Sequence, residues 1–355
     1  MGAVTAVNAN SFDAPTRRLS WSWLVAIFVL ALALRVVCVA QYEARHPLAQ
    51  RPVIDEESYD EWGREVASGE LLGKQIFFQE PLYPYWLGAV YACAGDDVAT
   101  QRSAARYTQA ALGALTAVLC ALLAARVFGT TAGLCAGLAF ALHRTAIWFS
   151  ALLLKPSLFM PLLVVFALAL LRTRDAEERE SGVRRAWFTV GVLGALGALL
   201  RGNMLVLLPL FAAWPLGRAL LRRTKLRRGL TSCAAVLGGA CLVLLPVALR
   251  NHHVGGRFVL TTSGAGTNFY AGNNAANPHG IAREFAWVRG IPAHEADDWR
   301  HEASRRTGRE LDAAETSSFW LRETLASMRA DPWMHLRLLW NKLRVVLWRY
   351  EVPDN

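Results

Sequence analysis

The chain has 355 residues, 54% of them hydrophobic, with a mean hydropathy of +0.25, which excludes an ordinary soluble enzyme. Its net charge of +10 raises nucleic acid as a partner, but the arginines crowd the ends of apolar segments, as membrane anchors do, and that pattern excludes it. Five of the six cysteines (Cys38, Cys120, Cys135, Cys233 and Cys241) lie inside apolar segments and Cys93 beside one. With no CxxC or Cys/His spacing, they read as small packing residues rather than metal ligands.

Residues 1–18 are polar, small and unpatterned, the composition of a disordered tail, and they end in Arg17 and Arg18. Leu19 to Ala40 is then long enough to cross the roughly 30 Å apolar core of a bilayer. It is too long for a signal-peptide core, and no small-residue cleavage site follows, so it is expected to stay as a membrane helix. Further spans are expected at Ala104–Val127, Ala132–Leu154, Pro156–Leu171, Ala186–Leu200, Met204–Leu221 and Leu230–Leu249. With a cytoplasmic N-terminus, Arg126 and the two arginine-rich loops (172–185 and 218–228) fall on the cytoplasmic side, as the positive-inside rule requires. Residues 41–103 and 251–355 then lie outside. The fold expected is an all-α, multi-span bundle over residues 19–250, with a small mixed segment after it.

The first external loop carries Asp55, Glu56, Glu57, Asp60 and Glu61, then the run Glu80-Pro81-Leu82-Tyr83-Pro84-Tyr85-Trp86. Glu56 to Ser68 reads as an amphipathic helix whose Tyr59, Trp62 and Val66 share one face, suited to the membrane interface. In the second external segment, Phe258–Thr262 reads as a short β-like run among turn residues. Leu311–Ala330 reads as a helix. Asp331-Pro332 then starts another, rich in Trp and Arg, to about Arg349.

Asp55 has two readings. One is a helix N-cap, worth about 1 kcal/mol; the other is a general base at the membrane surface, since a carboxylate there can take a proton from a hydroxyl or bind a divalent metal ion. The two are compatible. On the same outer side lie Lys155, Arg201 and Arg250, and ionisable residues at the ends of spans are costly. Cations there suit a lipid-linked phosphate. Arg35 is better read as snorkelling to headgroups. Tyr83 and Tyr85 fit either an interfacial aromatic belt or stacking on a sugar ring. The glycines around Gly264–Gly266 and Gly272 lack the lysine and strand context of a nucleotide loop.

Together, Asp55-x-x-x-Tyr59-x-x-Trp62, Gly69, Pro81-Leu82-Tyr83-Pro84, Arg201-Gly202-Asn203, Arg250-Asn251, Asn268-Phe269-Tyr270-x-Gly272-Asn273-Asn274 and the closing Tyr350–Asn355 run resemble bacterial membrane glycosyltransferases of the GT-C fold. The similarity is to the protein-mannosyltransferase and aminoarabinose-transferase superfamily (glycosyltransferase family 39-like), over about residues 19–355. The resemblance implies a multi-pass protein of a bacterial inner membrane with its catalytic loop outside. It implies a polyprenyl-phosphate sugar donor, a glycan, lipid or protein acceptor, and inverting transfer. Asp55 would be the catalytic base, with Glu56 competing. Lys155, Arg201 and Arg250 would meet the donor phosphate, and Tyr59, Tyr83, Tyr85 and Asn273 the substrates. No ligand set for a metal is evident, although some relatives use one. Relatives usually carry more spans after the second external segment, so the chain is expected to be truncated, a fragment, or reliant on a partner. A flippase for a lipid-linked saccharide would place its charges near mid-bilayer in two repeated halves. A non-catalytic scaffold would not depend on Asp55.

Overall fold

The apolar runs fold as helices because a backbone in lipid must satisfy its own hydrogen bonds. The computed structural model describes residues 19–221, 225–280 and 285–347; the expected N-terminal tail and the Tyr350–Asn355 run lie outside them. Among the described residues there are α-helices and one short 3-10 turn, Pro47–Ala49, and no strand. Five helices are long and apolar enough to cross a membrane: α1 (Trp21–Arg45), α4 (Val98–Phe128), α7 (Pro156–Glu178), α9 (Met204–Leu221) and α10 (Leu226–Gly255). Two shorter helices complete the bundle, α5 (Thr130–Leu142) and α8 (Val183–Ala198). Each of the seven expected spans thus overlaps one of these helices, but α5 and α8 are shorter than the five of membrane-crossing length.

Small residues set the packing. A Cβ added at Gly191 of α8 would lie 2.0 Å from the carbonyl oxygen of Val236 in α10, and one at Gly239 of α10 would lie 2.2 Å from that of Phe188. The two backbones touch, the close approach that glycine permits in membrane bundles. Gly133 and Gly137 of α5 seat Ala125 and Ala121 of α4 in the same manner. Leucines such as Leu242 on α10 and Leu210 on α9 point outward and stay exposed, as a lipid-facing surface should.

The two ends of the bundle differ. At one, arginines pair with carboxylates between neighbouring helices: Arg126 with Asp175, Arg218 with Glu177 at 2.6 Å and Arg228 with Glu180 at 2.7 Å. At the other end lie α2 (Asp55–Ala67) and α3 (Leu82–Ala94), joined by the C-terminal helices α11 (Ala265–Gly272), α12 (Pro292–Thr307), α13 (Ala313–Ala330) and α14 (Pro332–Val346). A cluster of Trp299, Trp320 and Leu311, with Tyr270, Phe285 and Trp287 against it, holds these C-terminal helices together. Asp312 caps α13 in a reciprocal pair with Glu315, and Asp331 caps α14 through the Met334 N–H at 2.9 Å, close to the starts expected from the sequence.

Four local expectations need correction. The expected span Ala132–Leu154 is broken: α5 stops at Leu142, a single turn α6 (Arg144–Trp148) follows, and the chain runs irregularly to Lys155. Buried polar side chains of α4 make this possible. Gln109 donates to the carbonyls of Ser150 (3.2 Å) and Leu152 (2.9 Å), and Arg106 donates to that of Ala151 (3.0 Å). Non-helical backbone at membrane depth is tolerated only where protein satisfies it in this way. Arg35 does not snorkel. It is fully buried, and its guanidinium donates to the carbonyls of Ala31, Phe140 and Ala141, the last two at the end of α5.

The β-like run Phe258–Thr262 forms no strand. The Asn251 amide instead donates to the carbonyls of Val259 (2.9 Å) and Thr261 (2.8 Å) while its oxygen accepts from the Phe77 N–H (3.3 Å). One side chain thus takes the place of a partner strand. Lastly, the Tyr59–Val66 face of α2 does not lie on lipid but interlocks with α3. A Cβ on Gly88 would meet Val66 at 2.4 Å, and one on Gly63 would meet Leu87 at 2.8 Å.

Candidate active site

α2 begins with strain. Ile54, just before it, has φ 56° and ψ −123°, a region that a β-branched residue occupies only when its surroundings impose it, at a cost of about 1–3 kcal/mol. Asp55 follows as the first residue of the helix. It is therefore not the N-cap of one sequence reading, and no side-chain cap bond forms there. Asp55 is half-buried and makes no hydrogen bond or ion pair among the described residues.

Its buried neighbours are committed. Glu56 is buried and accepts the Leu153 N–H at 2.7 Å, pinning the irregular segment before α7. Burial pushes its carboxyl above the usual range, with the Leu153 N–H and Arg106 opposing the shift. Asp60, also buried, accepts from the Tyr91 hydroxyl at 2.9 Å and pairs with Arg102 at 2.8 Å and Arg64 at 3.2 Å. Its role is to fix α2 against α3 and α4.

A second knot joins the loop before α3 to α7 and α8. The Lys155 ammonium sits 2.5 Å from Glu80, whose other oxygen accepts the Gly202 N–H at 2.9 Å. A Cβ at Gly202 would lie 2.9 Å from that oxygen, so glycine leaves room for the carboxylate where it sits. The Leu82 N–H bonds the Leu199 carbonyl at 3.1 Å and holds the start of α3 on the end of α8. The Lys155 ammonium also lies 5.0 Å from the centre of the Tyr59 ring.

Tyr59 is the hub of this cluster. It is 2% exposed. Burial raises its phenol far above the ordinary value, the Asp55 and Glu80 carboxylates add to the rise, and Arg201 opposes it. Arg201 is exposed, and its guanidinium makes no ion pair among the described residues. From the far side α12, packed on α2, contributes Glu295. This carboxyl is half-buried and raised by burial, with the Asp55 charge adding to the rise.

Of the sequence-expected residues, Asp55, Glu56, Tyr59, Lys155 and Arg201 therefore gather at one end of the bundle. The others are employed elsewhere. Arg250 donates to the carbonyls of Gln75 (2.7 Å) and Leu72 and stacks 3.6 Å from the Phe77 ring centre. Its guanidinium ties down the loop after α2 instead of facing a phosphate. Tyr83 is fully buried, with its hydroxyl donating to Gln109 at 2.7 Å, and no substrate can reach it there. Tyr85 joins an aromatic group with Trp62 and Phe77 and donates to the Leu71 carbonyl. Asn273 accepts from Lys342 at 2.9 Å, bonding α11 to α14.

Two residues of the cluster escaped the sequence reading. Glu80 stood beside an aromatic run that drew the attention, although a carboxylate just before a Pro-rich helix start in an apolar chain is itself a signal. Glu295 has no local signature; only tertiary packing brings α12 to α2. Among the described residues no group of three His, Cys, Asp or Glu side chains comes together.

Residues 79–249 match the family model described as dolichyl-phosphate-mannose-protein mannosyltransferase. No curated protein matches the chain.

Proposed function

By its match over residues 79–249 the chain is a family member of the GT-C type of membrane glycosyltransferase, and on that premise we propose that it transfers a sugar from a polyprenyl-phosphate donor to an acceptor hydroxyl, with Asp55 as general base. The observation that carries this reading is the contrast between Asp55 and the other carboxylates of the site that are withdrawn from solvent. Glu56, Asp60 and Glu80 are each bonded to protein, whereas Asp55 faces the Tyr59 cluster with no partner of its own.

The Asp55 carboxylate takes the proton of the acceptor hydroxyl. The acceptor oxygen then bonds to the anomeric carbon as the bond from that carbon to the lipid phosphate breaks. The lipid phosphate leaves with the electron pair and gains one negative charge. Arg201, exposed and unpaired, offers a guanidinium to that charge, and Lys155 offers its ammonium from the Glu80 knot. Attack opposite the leaving group inverts the anomeric centre. The Glu295 carboxyl, raised by burial, is suited to orienting the acceptor hydroxyl beside Asp55. The site end of the bundle is then the extracytoplasmic one, since the opposite end carries the arginine pairs, and a bacterial inner membrane is the setting.

The test is sugar transfer from labelled polyprenyl-phosphate sugars to membrane acceptors, with wild type and Asp55→Asn purified in equal, folded amounts. Loss of a general base should lower the rate by about 10²–10⁴-fold without changing thermal stability. Equal rates would remove Asp55 as the base. No transfer by either protein across a broad donor panel would overturn the enzyme reading.

A further inference from the structure

α14 has two unlike faces. His335 and Leu338 are buried against the rest of the C-terminal helices. Trp333, Leu336, Leu339, Trp340, Leu343 and Val346 are exposed, from 47% to 78%. At 100° per residue they fall within one arc of about 140°. The arc is bordered on one side by Arg337 and Arg344, both exposed. No Asp or Glu lies between Pro332 and Leu347. Scattered exposed leucines need no explanation, but a continuous apolar stripe of this size does.

The occupant is indicated by composition and location. Trp and Leu on one face with Arg at its edge form the pattern of a helix lying in the plane of a bilayer surface, its rings at headgroup depth and its cations toward lipid phosphates. The helix is also held at the correct place. It is bonded to α11 through Lys342 and Asn273, and α11 is reached from α10, a membrane-length helix, by the loop that Asn251 clamps. Through α13 and α12, the same unit rests on α2 beside Asp55.

We propose that α14 is an interfacial helix, its Trp333–Val346 stripe sunk into the phospholipid leaflet at the site end of the bundle. It thereby fixes the C-terminal helices, and with them Glu295, at a set height above the membrane. This inference does not depend on sugar transfer. It concerns where the helix lies, whatever the site does.

The experiment uses the full chain in phosphatidylcholine vesicles containing phosphatidylglycerol, with the six cysteines replaced by alanine. Single cysteines then carry a nitroxide spin label at Leu336, Leu339, Leu343, Arg337 or Leu338. Collision with dissolved oxygen reports lipid, and collision with a water-soluble nickel chelate reports solvent. The expected result is oxygen-dominated collision at 336, 339 and 343, nickel-dominated collision at 337, and access to neither at 338. Nickel-dominated collision at 336, 339 and 343 would place the stripe in water and overturn the proposal. So would exclusion of both reagents there, which would mean that protein covers it, either a second copy or another segment of chain. Circular dichroism of each labelled protein checks that the bundle is intact.

Discussion

The two ends of this bundle spend charge in opposite ways. At the arginine-rich end, ions pair with ions at the surface: Arg174 with Glu178 and Arg228 with Glu180 lie more than half exposed. At the site end the C-terminal helices carry surface pairs too, such as Arg300 with Asp297, but within the bundle and its first loop charged side chains are drawn inward and bonded to backbone. Arg35 holds the end of α5, Arg106 the irregular chain at Ala151, Glu56 the Leu153 N–H and Glu80 the Gly202 N–H. The difference follows from the backbone. Complete helices need nothing from side chains, whereas a bundle end opened into loops has donors and acceptors to satisfy. Once those groups are satisfied, the half-buried Asp55 and the nearby Arg201 still have no partner, and reactivity is expected where charge is left over.

The largest effect that would sharpen this comparison, after Asp55→Asn, is at Glu80. Its partner Lys155 is buried, and removing one member of a buried pair leaves an uncompensated charge. Glu80→Leu should therefore lower stability by about 3 kcal/mol, read as a lower midpoint in detergent-solubilised thermal unfolding. Glu80→Leu with Lys155→Met should recover much of that loss. A single variant as stable as wild type would show that the knot carries no strain-bearing role.

Arg201→Gln comes next. The guanidinium has no structural partner, so stability should not change. Transfer should fall by about 10²-fold, the lower end of the range for loss of one charge-stabilising donor. A fall in stability with unchanged transfer would exchange the roles assigned to Arg201 and Lys155.

How far the sequence could be read follows the same division. The membrane helices were legible because lipid selects long apolar runs, and the starts of α13 and α14 were legible because Asp312 and Asp331 are local caps. Asp55, Lys155 and Arg201 could be singled out as charges where charge is expensive, and the structure brings them to one end of the bundle. The break at His143 was not, since the residues that permit it, Arg106 and Gln109, lie on another helix. Tyr83 and Arg250 were expected at the substrates, yet both are bonded to protein, because sequence reports residue type and not commitment. A tyrosine bonded to Gln109 and one facing a sugar look alike until the partner is seen.

Glu56 allows a smaller test of the same idea. Burial raises its carboxyl above the ordinary 4.5, so folding holds the proton more tightly than the unfolded chain does. The stability this confers is present at low pH and is lost as pH rises through the raised value. Glu56→Gln keeps an oxygen for the Leu153 N–H and removes the titration. The variant should show a flatter stability profile from about pH 4.5 upward than wild type, and should keep its transfer activity. Loss of transfer with unchanged stability would make Glu56, not Asp55, the base.

The smallest effect belongs at the other end. Arg228 and Glu180 hold each other at 2.7 Å in full view of solvent, where water and salt screen the attraction and two long side chains must be ordered to make it. Arg228→Ala, Glu180→Ala and the double variant should unfold at the wild-type temperature at physiological ionic strength, and should transfer sugar at the wild-type rate. The arginine would still serve insertion, because the positive-inside effect acts on the charge of the loop and not on its pairing. Accordingly, reversing Arg218, Arg227 and Arg228 together to Glu should disturb orientation in the membrane, read by protease access to the loop from either side, although none of the single changes does. A marked loss of stability from Arg228→Ala alone would break the comparison, since the arginine-rich end would then be using its ions as the site end does.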